Sequence, residues 1–238
     1  MTETGLSPGT ALDMVTACFP ELDRAEAMRL ARVSRRYTYR KNEWLFAEGT
    51  QDVPAHWLLC GSVALLKGSM SGRNTILHVV RPGHFIDHCM LFPSRTTCVH
   101  AHGQRTVVSA LALSRCETLR LDAEVLRSVL AGSPSLAMRL LRSLAARQRM
   151  FINKISVSQG KISSRRRVAS WLLHKARVEK SLVLDDDITR EVQAGLLGLS
   201  RESLSRQLGC FVQEGCIRLE RKRIVIVDEG ALRACLDR

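Results

Sequence analysis

The clearest amphipathic period in the chain lies at 199–211 and just beyond, where Leu204, Leu208, Phe211 and Val212 recur at helical spacing. Glu202, Ser205 and Arg206, at i, i+3 and i+4, share a polar stripe on another face. Ser200 is a good N-cap for this helix, and Gly198-Leu199-Ser200 forms a short turn after an earlier helical stretch at 189–197. Two short β-type runs follow, 217–220 and 224–227, on either side of Arg221-Lys222-Arg223; this predicts a hairpin with cations at its tip. Upstream the texture differs. Between 37 and 121, short apolar runs such as 57–60, 63–66 and 76–80 are separated by glycines at 49, 61, 72 and 83. Evenly spaced turn residues between short strands predict a small antiparallel barrel or jelly roll, and a helix there would be interrupted at every glycine.

Helical periods flank that region. Residues 1–19 read as a polar-to-mixed arm, and a helix is expected from Pro20-Glu21 to Arg35, with Leu22, Ala25, Met28, Leu30 and Ala31 on a rough apolar face. A short helix at 122–131 precedes Ser133-Pro134, an N-cap serine followed by proline, which opens a long helix. In it Leu141, Leu144, Gln148, Phe151, Ile155, Ser158 and Ile162 recur at steps of three and four, a heptad seam that is polar at two places. Ser163-Ser164 can cap a separate helix at 165–176, so a hinge is expected near 161–164. Arg165-Arg166-Arg167 reads as a solvated face, and Asp185-Asp186-Asp187 as a loop before Thr189. The fold class is therefore α+β. It comprises a jelly-roll domain at 1–132, a long helix at 133–162 and a helical domain with a hairpin at 163–238.

Charge adds a direction. The chain of 238 residues carries a formal net charge of +13. Residues 1–132 hold 15 Lys/Arg and 12 Asp/Glu, whereas residues 133–238 hold 21 and 11, so the excess sits in the C-terminal part. That favours a polyanionic partner for this part over a uniformly basic protein. A helix, a tight turn and a second helix with one polar stripe make a helix-turn-helix, whose second helix enters the DNA major groove. Arginine forks onto guanine O6 and N7, a carboxylate accepts from cytosine N4, and serine serves either role. Double-stranded DNA is the expected partner. No apolar run is long enough to span a membrane, and the start Met-Thr-Glu-Thr-Gly lacks a signal-peptide pattern, so a cytoplasmic protein is expected. Most of the eight scattered cysteines then read as small buried hydrophobes. No Ser/His/Asp set, paired carboxylates or cupin-type histidine motif is evident, which argues against an enzyme. The alternatives kept open are a cupin-like metalloprotein and a non-specific architectural DNA binder.

Residues 188–227, with Ser-Arg-Glu-Ser-Leu-Ser-Arg at their centre and the basic hairpin at their end, resemble the winged helix of the cyclic-AMP receptor/fumarate-nitrate reductase regulator (CRP/FNR) family. Arg81-Pro82-Gly83-His84-Phe85-Ile86 resembles the start of that family's cyclic-nucleotide-binding segment, which extends the resemblance to nearly the whole chain. The resemblance implies a homodimeric transcription regulator, its seam on the long helix at Leu141, Leu144, Phe151 and Ile155. It assigns base reading to Glu202, Ser205 and Arg206 and phosphate contacts to Thr189, Arg190 and Arg201. The Glu-x-x-Ser-Arg pattern resembles the oxygen-regulator branch and implies a TTGA-like palindrome, and RNA polymerase is a further partner the family admits.

The resemblance also frames the input. Where nucleotide-binding members carry Gly-Glu this chain has Asp87-His88, and their Arg-Ser pair falls near Arg105-Thr106. The family's purine-facing Thr-Ser falls at Phe151-Ile152, which cannot hydrogen-bond a base edge, so cyclic AMP is disfavoured. His88, Arg105 and Phe151 remain the candidate effector pocket. An iron–sulfur cluster needs four thiolates, and only Cys18 and Cys116 lie near the family's positions, so it is disfavoured too. Haem stays open, with His84, His88, Cys89, Cys98, His100 and His102 as a dense patch of candidate ligands beside Met150 and Phe151. No metal site is assigned, and Cys210 is a candidate redox thiol beside the recognition helix.

Overall fold

The computed structural model describes residues 2–68, 74–92, 105–158, 162–186 and 188–237. Its chain divides into two units, Met1–Gln148 and Arg149–Arg238. In the first, eight strands form two four-stranded antiparallel sheets: β1 (Thr2–Thr4), β2 (Arg35–Tyr39), β8 (Cys116–Leu121) and β4 (Ala55–Cys60) in one, β3 (Trp44–Phe46), β7 (Ser109–Ala112), β5 (Val63–Gly68) and β6 (Asn74–Val80) in the other. This is the expected jelly roll, and the glycines explain its corners. Gly49, Gly61 and Gly83 all have φ near +80°, a conformation that disfavours a side chain, and a Cβ at Gly61 would lie 2.4 Å from the Arg115 carbonyl oxygen. Tyr39, Leu58, Val63, Val80, Ile86 and Cys116 fill the space inside.

The N-terminal segment is not an arm. Residues 2–4 add β1 to the edge of β2. Ser7 caps α1 (Pro8–Cys18), accepting from the Thr10 amide at 3.3 Å, and α1 buries Ala11 and Val15. This serine-proline start is the same signal as Ser133-Pro134, and it was available in the sequence. The next helix is shorter than expected. Asp23 and Glu26 form a capping box that starts α2 at Arg24–Arg32, with Ala27, Leu30 and Ala31 buried and Met28 exposed. Phe19, fully buried, meets the Trp57 ring at 4.9 Å and the Phe85 ring at 6.0 Å, which joins the helices to the sheet. Above these rings lies the Arg139 guanidinium, 5.5 Å from Phe19 and 5.2 Å from Trp57.

Helix α3 (Ala123–Gly132) is capped by Asp122 and followed by α4 (Pro134–Ser158). The N-terminal half of α4 packs on its own domain through Leu136 and Leu140. Leu144, expected in the seam between chains, is partly buried and packs against that core as well. Among the described residues of α4, the large apolar side chains left exposed are Met138, Leu141 and Ile152, at 50%, 56% and 54%. Phe151 is half-buried, and the side chain of Ile155 lies outside the described residues.

In the second unit α5 (Ser164–Glu179) starts on the Ser163 cap, as the serine pair suggested, and runs three residues beyond the expected end. Strand β9 (Val183–Asp185) follows and takes Asp185 from the expected loop; it pairs with β11 (Arg223–Ile226), which pairs in turn with β10 (Ile217–Glu220). Arg223 belongs to the strand and the turn is Arg221-Lys222. Helices α6 (Arg190–Leu197), α7 (Arg201–Gln213) and α8 (Glu229–Asp237) complete this unit, the last unforeseen. Val168, Leu172, Leu184, Leu204, Leu208, Phe211, Ile224 and Leu232 form its core.

Candidate nucleic-acid interface and sensor site

The expected two-sidedness of α7 holds at every position but one. Leu204, Leu208 and Phe211 are buried, while Glu202, Ser205 and Arg206 are exposed together on the opposite side. Val212, expected on the buried stripe, is exposed. The helix begins at Ser200, whose hydroxyl accepts from the Ser203 amide at 3.1 Å. Gly198 ends α6 with φ +63°, where its backbone amide returns to Gly195, and this sharp stop sets α7 across α6. The Glu202 carboxyl is held below the usual range by its own backbone amide at the helix N-terminus, by Ser200 and by Arg201. It therefore stays an acceptor at neutral pH, the state that reading a cytosine amine requires.

Two of the three consecutive arginines on α5 brace this helix and are not a solvated face. Arg165 makes a bidentate pair with Glu214 at the end of α7, and its guanidinium lies 4.8 Å from the Phe211 ring. Arg167 donates to the carbonyls of Ile162 at 3.1 Å and Gly198 at 3.3 Å, which holds the turn before α7. Only Arg166 is exposed. No sequence signal separates these roles, because the partners lie 31 and 49 residues away.

The residues expected at phosphates divide. Arg201 is exposed on the first turn of α7. Thr189 is exposed but occupied as a cap, accepting from the Val192 amide at 3.4 Å. Arg190 is committed inward, pairing with Asp186 at 2.9 Å and donating to Gln193 Oε1 at 2.6 Å, so it presents only one edge to solvent. Arg221, Lys222 and Arg223 are all exposed at the hairpin.

In the sensor unit, Gly83 donates its amide to the Leu58 carbonyl, and the chain then turns inward through Phe85, Ile86, Asp87 and His88, all buried. Arg147 of α4 reaches this segment, donating to the carbonyls of Phe85 at 3.1 Å and Ile86 at 3.3 Å. His88 Nε2 lies 3.4 Å from Ser143 Oγ, and Nδ1 has no partner among the described residues. Burial, then Arg147 and the neighbouring histidines, lowers its pKa to about 3, so the ring is neutral. Asp87 accepts from the Cys89 amide at 3.0 Å through one oxygen, and its other oxygen is buried without a partner among the described residues. Arg105 is not drawn to this pocket. It is exposed, paired across to Gln51, and donates to the Gly49 carbonyl at 3.1 Å.

Three of the six candidate haem ligands fall among the described residues. His84 is exposed, His88 buried and Cys89 exposed, while Cys98, His100 and His102 lie outside the described residues. Among the described residues no three His, Cys, Asp or Glu side chains converge as for a metal ion. Burial raises the pKa of the Cys18 thiol and pushes that of Cys116 up to about 12. No disulfide joins the described cysteines, and no helix among the described residues is long and apolar enough to cross a membrane.

Comparison with known proteins agrees with this division of labour. A family model described as the cyclic nucleotide-binding domain matches residues 36–133, and one described as the Crp-like helix-turn-helix domain matches residues 166–235. A protein of Mycobacterium tuberculosis named CRP-like cAMP-activated global transcriptional regulator is 29% identical over 200 residues, covering 82% of this chain and 84% of its own. Among solved structures, FixK2 from Bradyrhizobium japonicum superposes with a TM-score of 0.69 at 20% identity, covering 85% of this chain and 97% of its own. A CooA variant from Carboxydothermus hydrogenoformans gives 0.71 at 18%, with 85% and 88% coverage.

Proposed function

The chain belongs to the CRP/FNR family of DNA-binding transcription regulators, and from that premise we propose that it acts as a homodimer reading a TTGA-like palindrome under an input other than cyclic AMP. The family regulates transcription and is not enzymatic. The observation that carries the reading is the polar stripe of α7, where Glu202, Ser205 and Arg206 are exposed together above a fully buried apolar stripe. Arg206 forks onto a guanine, Glu202 accepts from a cytosine amine, and Ser205 takes the position between. Arg201, the edge of Arg190, Thr189 and the hairpin cations contact phosphates and fix register. Two copies joined along Met138, Leu141 and Ile152 of α4 present their α7 helices about one helical turn apart.

The relative from Mycobacterium tuberculosis is named as cAMP-activated; this chain differs where it matters for that ligand. A neutral, buried His88 stands where a ribose acceptor is needed, and Phe151-Ile152 offer the base no hydrogen-bonding side chain. Selection of bound sites from random duplexes tests the DNA reading. The expected product is a palindrome with TTGA half-sites, and Arg206→Ala should remove about 1–3 kcal/mol of discrimination at the guanine. A selection that enriches no palindrome would favour a non-specific architectural binder. An unchanged motif with Arg206→Ala would refute the assignment of Arg206.

A further inference from the structure

Asp186 stands directly after β9, where three parts of the DNA-binding unit meet. Its backbone amide donates to the Lys222 carbonyl, in the turn of the basic hairpin, at 2.9 Å. Its side chain is only 12% exposed and engages two residues of α6. Arg190 reaches one carboxylate oxygen at 2.9 Å and the other at 3.2 Å, and Gln193 Nε2 donates to the latter oxygen. Arg190 also donates to Gln193 Oε1 at 2.6 Å, which closes a ring of three side chains. Gln193 is 1% exposed and donates besides to the Ile188 carbonyl at 3.3 Å. One residue thus holds the hairpin turn by its backbone and the first helix of the helix-turn-helix by its side chain.

The consequence is geometric. Helix α6 carries α7 across a turn with a left-handed Gly198 and a capping Ser200, so α7 moves with α6. Tying the hairpin turn to α6 therefore fixes the reach between Arg221-Lys222 and the base-reading stripe. Two sets of contacts on one duplex need such a fixed spacing, because a loose second element loses ordering entropy on binding. Electrostatics alone argues the other way. A carboxylate beside a phosphate-binding surface weakens attraction to DNA, so a residue there without a positioning role would be better absent.

We infer that Asp186 is a positioning residue of the DNA surface, acting through Arg190 and Gln193 to hold the basic hairpin at the spacing at which hairpin and recognition helix engage one duplex together. This rests on the DNA reading proposed above. Its two explanations predict opposite signs. Loss of the carboxylate should tighten DNA binding if the residue matters only as a charge, and weaken it if the residue positions the hairpin.

The test is a double-mutant cycle on the full chain with a duplex carrying its selected palindrome. Asp186→Ala should weaken binding about tenfold, the order expected for breaking charge-assisted hydrogen bonds that order a contact element. Arg221→Ala with Lys222→Ala should weaken binding and lower the salt slope by about 0.9 for each phosphate that is no longer neutralised. In that background Asp186→Ala should cost less than about twofold, because the element it positions no longer contributes. Backbone footprinting of Asp186→Ala should lose protection at the hairpin flank and keep it over the half-site. Asp186→Asn, of the same shape, carries the same comparison if the alanine variant does not fold. Tighter or unchanged binding by Asp186→Ala overturns the inference, as does a full tenfold loss in the hairpin-neutral background. If Arg221→Ala with Lys222→Ala changes neither affinity nor salt slope, the hairpin has no DNA role and the inference falls with it, while the α7 reading stands.

Discussion

Two buried histidines should make the sensor unit acid-labile. His56 on β4 is 5% exposed, its Nδ1 is 3.2 Å from the Thr118 hydroxyl, and burial followed by repulsion from Arg120 lowers its pKa to about 3. His88 is 3% exposed and likewise lowered to about 3, chiefly by burial. Each ring is neutral in the folded protein, whereas the unfolded chain titrates at the ordinary value of 6.5. Below 6.5 the unfolded state binds the extra proton, so stability is full above that value and is lost as the pH falls toward 3. Between about pH 7.5 and about pH 5 the loss works out at roughly 2 kcal/mol per histidine, roughly 4 kcal/mol for both. That is a large share of the ~5–15 kcal/mol that stabilises an ordinary domain. Urea unfolding across this range, followed by fluorescence of Trp44 and the buried Trp57 in a Trp171→Phe background, measures the effect on the sensor unit. His56→Gln with His88→Gln keeps a hydrogen-bonding side chain at each site without a titrating one, and should flatten the dependence. A double variant that stays as acid-sensitive as the parent would refute the reasoning.

Three further outcomes follow from particular residues. Leu141→Asp with Ile152→Asp places charges on the exposed apolar line of α4, and sedimentation should then report monomers at concentrations where the parent is dimeric. Calorimetry with cyclic AMP should show no micromolar binding and no linked rise in DNA affinity, since each unmet hydrogen bond in a closed pocket costs about 1–3 kcal/mol. Phe211→Ala removes a fully buried ring beneath Arg165, and thermal unfolding of the DNA-binding unit should show a loss of about 3–5 kcal/mol.

Much of the DNA-reading surface is written locally. Leu204, Leu208 and Phe211 alternate with Glu202, Ser205 and Arg206 at a period that only a helix can satisfy, so the buried and the presented side follow from the stretch itself. The same holds for the glycine-spaced strands, whose turns need a backbone that other residues disfavour. The serine caps at 163 and 200 and the threonine cap at 189 are equally local, since each bonds an amide three residues ahead.

What only the tertiary structure decided concerns residues with two eligible environments. Leu144 fits a seam between copies or one with its own domain, and the fold packs its partly buried side chain against the core that holds Leu136 and Leu140. A run of arginines reads as a solvated face until the fold brings Glu214 and Phe211 to Arg165 and the Gly198 carbonyl to Arg167. Arg190 reads as a freely presented cation until Asp186 and Gln193 hold it, leaving one edge for a phosphate. Hydrophobic periodicity is a property of a few adjacent turns, so the chain itself displays it. A long charged side chain takes the partner that the fold brings within reach, and across 31 or 49 residues the spacing of the sequence carries no record of that partner.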